Sequence, residues 1–174
     1  MEISENWDII RFHWYEWIPP GDGGATNSGG AYSIDNAVNW LNDNAHSSWK
    51  DAKGECGTYI RCSLEAGFGL NKDALKGKTV DQTGKAIGAA KTMGPYLENL
   101  GLGSVNTTSY LKGDIAVIQG YPGATSNAYG ITYGHVQMYN GSIWISDFKQ
   151  LRDFWPGGGY RTNQPSFVIY RWGN

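Results

Sequence analysis

Apolar residues along the chain change period near its middle, and the change separates two kinds of element. Ile34, Ala37, Val38 and Leu41 recur at helical spacing, and Ser33 stands where an N-cap belongs. A helix is therefore expected from residue 34 to about residue 43. Residues 44–53 are polar and read as irregular. A second helix should run from near Cys56 to Ala66, with Gly67 as its stop and Ile60 and Leu64 on the face that carries Cys56. A third helical stretch, roughly 83–93, is built from small residues, and Pro95 can open a short helix that ends at Gly101. After Ser104 the pattern becomes that of strands. Residues 115–119 form a short apolar run, 134–139 alternate, Asn140-Gly141 is a strong hairpin turn, and 143–146 and 167–172 complete the set. Helices followed by a largely antiparallel sheet make an α+β domain, with helices packed on one sheet face.

Ahead of these elements, residues 7–18 are dense in aromatics, either a short amphipathic helix or an extended arm, and Pro19-Pro20 closes them. Residues 21–31, GDGGATNSGGA, are loop by composition. The whole chain has 174 residues, the size of one domain, which we expect to be a single catalytic domain with residues 1–31 as an aromatic- and glycine-rich arm. Its 25 glycines follow no G-x-y period, which excludes collagen, and its aromatic content argues against disorder. A net charge of -2 is not the footprint of a nucleic-acid binder. No apolar run is long enough to span a bilayer, and the first residues lack the basic stretch and apolar core of a signal peptide. The sequence therefore reads as cytosolic, a mature fragment, or exported by another route.

Cys56 and Cys62, six residues apart on one expected helix, would be about 9 Å apart by helical rise alone, too far for a disulfide. They are read as separate thiols. Cys62 reads as core filling. Cys56 falls at a helix N-terminus between Gly54 and Gly57, where unpaired N–H groups and the helix dipole should lower a thiol pKa and can hold an oxyanion. A thiol nucleophile needs a base. Of the three histidines, His13 lies in the arm, His46 in a polar loop, and His135 at the start of an expected rigid strand. The hairpin after His135 brings Asp147 back toward the same end, where it could orient the imidazole, although register is not set by this reasoning. Metal ligation is the rival use of Cys56, His135 and Asp147. The chain has no CxxC, HxxxH or HExxH pattern to support it.

Three blocks of sequence also resemble known enzymes. Glu55-Cys56-Gly57-Thr58-Tyr59-Ile60-Arg61, with Leu64-Glu65-Ala66-Gly67 after it, resembles the nucleophile helix of NlpC/P60 and CHAP-type cysteine amidases. Lys112-Gly113-Asp114-Ile115-Ala116-Val117-Ile118 is similar to the strand before their histidine, and Tyr133-Gly134-His135-Val136-Gln137-Met138-Tyr139 to the histidine strand itself. The resemblance implies a papain-like fold, Cys56 as nucleophile, His135 as general base and, less securely placed, Asp147 as the third polar group. It departs at residue 57, glycine where many relatives carry alanine or serine. Amidase effectors of the type VI secretion system form a related set, compact and often free of a signal peptide.

What this implies is hydrolysis of an amide bond in the stem peptide of bacterial peptidoglycan through a thioester, with no cofactor or metal. Delivery to the periplasm or cell wall would need no N-terminal signal peptide, and a cognate immunity or inhibitor protein would be a partner. Tyr59, Arg61, Tyr133 and Trp144 are candidates to contact the substrate. Two other readings stay open: a non-catalytic module binding cell wall or carbohydrate through its aromatics, and another thiol acyl-transfer enzyme such as a deamidase or protein protease.

Overall fold

The computed structural model describes residues 32–77, 89–122 and 133–173. The aromatic arm expected over 7–18, the glycine loop 21–31 and most of the helix expected over 83–93 lie outside the described residues. Within that last stretch, Ala90–Thr92 form a single 3-10 turn. All the elements below belong to one compact unit, Tyr32–Asn174.

Helix α1 spans Ile34–Asn44 and is capped as the sequence suggests: the Asn36 N–H donates to Ser33 Oγ at 3.2 Å. Replacing such a cap by alanine costs about 1 kcal/mol. Helix α2 spans Cys56–Gly67. Its glycine does not act as the expected left-handed stop. Gly67 is the last helical residue, and it is small because the Tyr32 ring lies where its Cβ would be. The left-handed residue comes later, at Gly69, with Gly69 N–H bonded to Ala66 O and Leu70 N–H to Glu65 O. These two bonds satisfy carbonyls at the helix end. Helix α3, Gly94–Asn99, starts one residue before Pro95, as expected of a proline in a first turn.

Six strands form one sheet in the order β1-β6-β2-β3-β4-β5, with every neighbouring pair antiparallel. They are β1 Leu102–Val105, β2 Ile115–Ile118, β3 His135–Tyr139, β4 Trp144–Ile145, β5 Lys149–Gln150 and β6 Phe167–Trp172. Strands β1 and β5 and a last helix, α4 (Gly158–Asn163), are too short to show a period in the sequence. The Asn140-Gly141 hairpin forms: Met138 pairs with Ile145, Tyr139 with Trp144, and Asn140 Oδ1 accepts from the Ser142 and Ile143 N–H groups. The returning strand is shorter than 143–146, because a second tight turn closes with Ser146 N–H on Phe148 O at 3.0 Å. The chain then runs back as β5, pairing Lys149 with Ile145. Asp147 therefore sits in a turn rather than at a strand end.

Both faces of the sheet are covered, which is why β2 reads as an unbroken apolar run. Ile115, Val117, Val136, Met138 and Ile145 pack against the apolar faces of α1 and α2, chiefly Val38, Leu41, Ile60 and Leu64. Ala116, Ile118, Trp144 and Ile169 face the other way, under an aromatic layer that includes Tyr110, Phe154 and Tyr160. Burying each large aliphatic side chain contributes roughly 1.5–3 kcal/mol.

Candidate functional site

The N-terminus of α2 and the first residues of β3 meet at the end of the sheet. Local sequence does not cap α2, since Glu55 occupies the N-cap position without using its side chain. The cap comes from elsewhere: the Glu55 N–H donates to Asp147 Oδ2 at 3.0 Å, across 92 residues of chain. The other Asp147 oxygen accepts from Ser146 Oγ at 3.1 Å. A backbone bridge from the 45–53 loop supports this turn, with His46 N–H on Asp147 O and Lys149 N–H on His46 O, both 2.9 Å. Asp147 is almost fully buried, so its charge is held rather than solvated.

Cys56 is buried at the start of α2, and the backbone N–H groups of Val136, Gly57 and Cys56 itself all favour its thiolate. The sulfur thus lies against the residue that follows His135 on β3. That position depends on Gly134, whose φ is 66° and whose missing Cβ would collide with the Ile118 carbonyl and the Lys91 side chain. Only glycine turns the chain into β3 there without strain. The His135 ring is buried, with the Phe148 ring centroid at 6.1 Å and that of Tyr160 at 6.2 Å.

The electrostatics correct one expectation. A helix N-terminus should lower a thiol pKa, yet burial and then the Asp147 charge outweigh the three N–H groups and push the Cys56 thiol up to about 11. Burial likewise pushes the His135 imidazole down to about 4, against the opposing pull of Asp147. Burial thus disfavours the charged form of both side chains, the thiolate and the imidazolium. Asp147 acts on His135 through its charge, while the polar group within reach of the ring is Gln150, its Nε2 3.4 Å from His135 Nε2.

The expected substrate contacts divide. Tyr59, one turn after Cys56, is half-buried, packs on Trp40 and His46, and has its hydroxyl 3.4 Å from His46 Nε2. Tyr133 is 47% exposed two residues before His135. Arg61 and Trp144 do not fit the role. The Arg61 guanidinium is buried and committed to Glu65 and Asp73. Trp144 is buried among Tyr110, Tyr139 and Phe154. Both are structural for a common reason: α2 and β4 are packed on the faces where these side chains point.

Sequence reasoning missed three residues of this region. Gln137 and Gln150 are buried and hydrogen-bonded to each other beside the ring. Tyr160, from the glycine-rich segment 157–159, sits near both Cys56 and His135. The alternation of β3 does place Gln137 on the face of His135. Nothing local marks Gln150 or Tyr160, because each arrives through an element too short to be read from periodicity. Among the described residues, no group of three His, Cys, Asp or Glu side chains is arranged to hold a metal ion.

No protein-family model and no curated protein matches the chain. Solved structures do. The chain is similar to one determined as the type VI native effector–immunity complex Tae3–Tai3 from Ralstonia pickettii, with 31% identity over 81% of this chain and 99% of that one, at a TM-score of 0.60. The selenomethionine form of the same complex matches with 34% identity over 79% of this chain and 100% of that one, at a TM-score of 0.57. An α+β domain of this kind, with N-terminal helices on an antiparallel sheet, is thus the fold of a type VI effector. The chain belongs to the Tae3 effector family.

Proposed function

We propose that this protein is a papain-like cysteine amidase effector that cleaves an amide bond in the stem peptide of peptidoglycan, in the periplasm of a recipient cell. Tyr32–Asn174 would be its catalytic domain, with residues 1–31 as an arm. The observation that carries the reading is the placement of the Cys56 sulfur against the Val136 N–H, one residue along β3 from His135. Membership of the Tae3 effector family supports the biological setting, and its solved complexes with Tai3 support a cognate immunity protein as partner.

In this mechanism His135 accepts the Cys56 proton as the sulfur attacks the amide carbonyl, so charge separates during attack rather than before it. A C–S bond forms, and N–H groups at the start of α2 hold the oxyanion. The C–N bond breaks as imidazolium protonates the departing amine. Water, deprotonated by His135, then cleaves the thioester and releases the acid and the thiol. Asp147 stabilises the transient imidazolium by its charge and aligns the nucleophile helix through Glu55 N–H. Tyr59 and Tyr133 border the approach. No cofactor enters these steps.

Incubation with purified peptidoglycan followed by mass spectrometry tests the reading. The native protein should release stem-peptide fragments split at one amide bond. Cys56→Ala and His135→Ala should be at least about a thousandfold slower while keeping the native circular dichroism. Intact peptidoglycan with folded native protein would refute it.

A further inference from the structure

One short segment touches both halves of the proposed site. Lys91, in the 3-10 turn, lies against Gly134, the residue before His135. A Cβ built on that glycine would stand 2.5 Å from Lys91 Cβ and 3.2 Å from Lys91 Cα. Two residues on, Met93 lies against Gly57, the residue after Cys56, with its sulfur 3.6 Å from where a Cβ would be. Met93 is buried, whereas Lys91 is half-buried. The backbone of Lys91 is fixed from two directions. Gln119, just past β2, donates from Nε2 to the Lys91 carbonyl at 3.1 Å, and Gly134 lets the start of β3 close on Lys91 Cα. The turn itself closes with Met93 N–H on Ala90 O at 3.1 Å. A side chain anchored this way starts from a defined point, as a group that meets a substrate requires.

What Lys91 brings is charge. Arg61, Lys112, Arg161 and Arg171 are each committed to a carboxylate, and Lys91 enters no ion pair among the described residues. The charges next to the nucleophile are negative. Asp147 is buried, with its oxygens taken by Glu55 N–H and Ser146 Oγ, and the Glu55 side chain is exposed at the N-cap without a capping bond. A carboxylate brought to the site meets repulsion from these two groups, which a nearby cation offsets. The lysine stem is four flexible carbons long, so an ammonium rooted against Gly134 can reach over the start of β3. We propose that Lys91 is a specificity-determining residue, its ammonium pairing with a carboxylate that the peptide substrate carries close to the scissile amide. It selects peptides with free carboxyl groups over the same peptides with those groups amidated, and it takes no part in proton transfer. This deepens the proposed hydrolysis and rests on Cys56 and His135 marking its site, but the binding does not depend on turnover.

Calorimetric binding to the full chain carrying Cys56→Ala tests the assignment without cleavage. The probes are purified muropeptides with their stem carboxyls free, and the same muropeptides amidated with carbodiimide and ammonia. The free-acid form should bind about tenfold tighter, the scale of one charge-assisted hydrogen bond. Adding Lys91→Met, which keeps most of the stem, should bring the free-acid form down to the affinity of the amidated one, with the amidated form bound as before. Lys91→Arg keeps the charge and should retain the preference. Lys72→Met removes the same charge from the exposed 71–75 turn and should also retain it, which separates a contact from net charge. On peptidoglycan, Lys91→Met alone should raise KM about tenfold and leave kcat nearly unchanged. Absent binding of the free-acid form, equal binding of both probes, or a free-acid preference that survives Lys91→Met would overturn the proposal. If Lys91 governs the preference and native protein leaves peptidoglycan uncut, the proposed hydrolysis fails and the recognition stands. If peptidoglycan is cut and the preference ignores Lys91, the recognition alone fails.

Discussion

Helix α2 carries two buried polar clusters, and they are built in opposite ways. Toward its middle, Arg61 meets Glu65 one turn on, and Glu65 also accepts the N–H groups of Asp73 and Leu75 at 3.1 and 2.9 Å. Arg61 reaches Asp73 at 3.1 Å as well. Each charge faces an opposite one, and the cluster pins the 71–75 turn to the helix. At the N-terminus, by contrast, Cys56 is a thiol whose charged form is disfavoured, His135 an imidazole whose charged form is disfavoured, and Gln150 holds a buried oxygen without a hydrogen-bond partner among the described residues. A structural cluster closes its hydrogen bonds. The cluster proposed to do chemistry leaves acceptors and protons uncommitted, and that openness costs stability.

Breaking the closed cluster should have the larger effect on folding. Glu65→Ala leaves the buried Arg61 with Asp73 as its remaining carboxylate and removes the acceptor of the Asp73 and Leu75 N–H groups; it should cost about 2–4 kcal/mol in urea unfolding, with turnover per folded molecule unchanged. A loss under about 1 kcal/mol would mean the cluster is not what holds the turn.

The open cluster should instead register in pH. The unfolded histidine titrates near 6.5 and the folded one near 4. Between those values the unfolded chain binds more protons, so stability falls as pH falls, by roughly 3 kcal/mol across the window. The thiol works in the other direction. Its folded pKa of about 11 lies above the unfolded 9.0, so stability falls as pH rises between them. Thermal melts should therefore show a plateau from about pH 6.5 to 9, with His135→Ala flattening the acid limb and Cys56→Ala making the alkaline one shallower, the rest coming from Cys62 and the buried Tyr32, Tyr96 and Tyr160, which burial also pushes up. A native protein with no acid limb would show that the ring is not held neutral.

Asp147→Asn keeps an acceptor near Glu55 N–H but removes the charge that favours imidazolium. Peptidoglycan hydrolysis should fall about tenfold to a hundredfold, roughly 1.4–2.8 kcal/mol in the barrier, with its acid limb moved to lower pH. The smallest effect is expected at Gly57, where an added Cβ would meet only Met93 Sδ at an ordinary 3.6 Å. Gly57→Ala should raise stability by up to about 1 kcal/mol in melting experiments, because glycine weakens a helix interior.

Much of this architecture was legible in the chain. The α1 cap at Ser33, the start of α2 at Cys56, the apolar run of β2 and the hairpin at Asn140-Gly141 all follow from local rules of capping, periodicity and turn chemistry. His135 could be singled out because a rigid strand was expected to begin beside it. The failures share a cause. Arg61 and Trp144 looked like substrate contacts because residue type says nothing of which face a neighbour covers. The thiol's dipole argument was sound but local, and burial outweighed it.

Sequence by itself determined which elements form and that a thiol and an imidazole stand at the ends of two of them, because helix caps, periods and turns act over a few residues. Only the tertiary structure decided that Asp147 accepts from the start of α2 out of a distant turn, that Gln137 and Gln150 lie beside the His135 ring, and that burial disfavours the charged forms of Cys56 and His135. Those outcomes depend on burial and on contacts between residues far apart in the chain, where solvent exclusion sets the energy of a charge and local pattern carries no record of it.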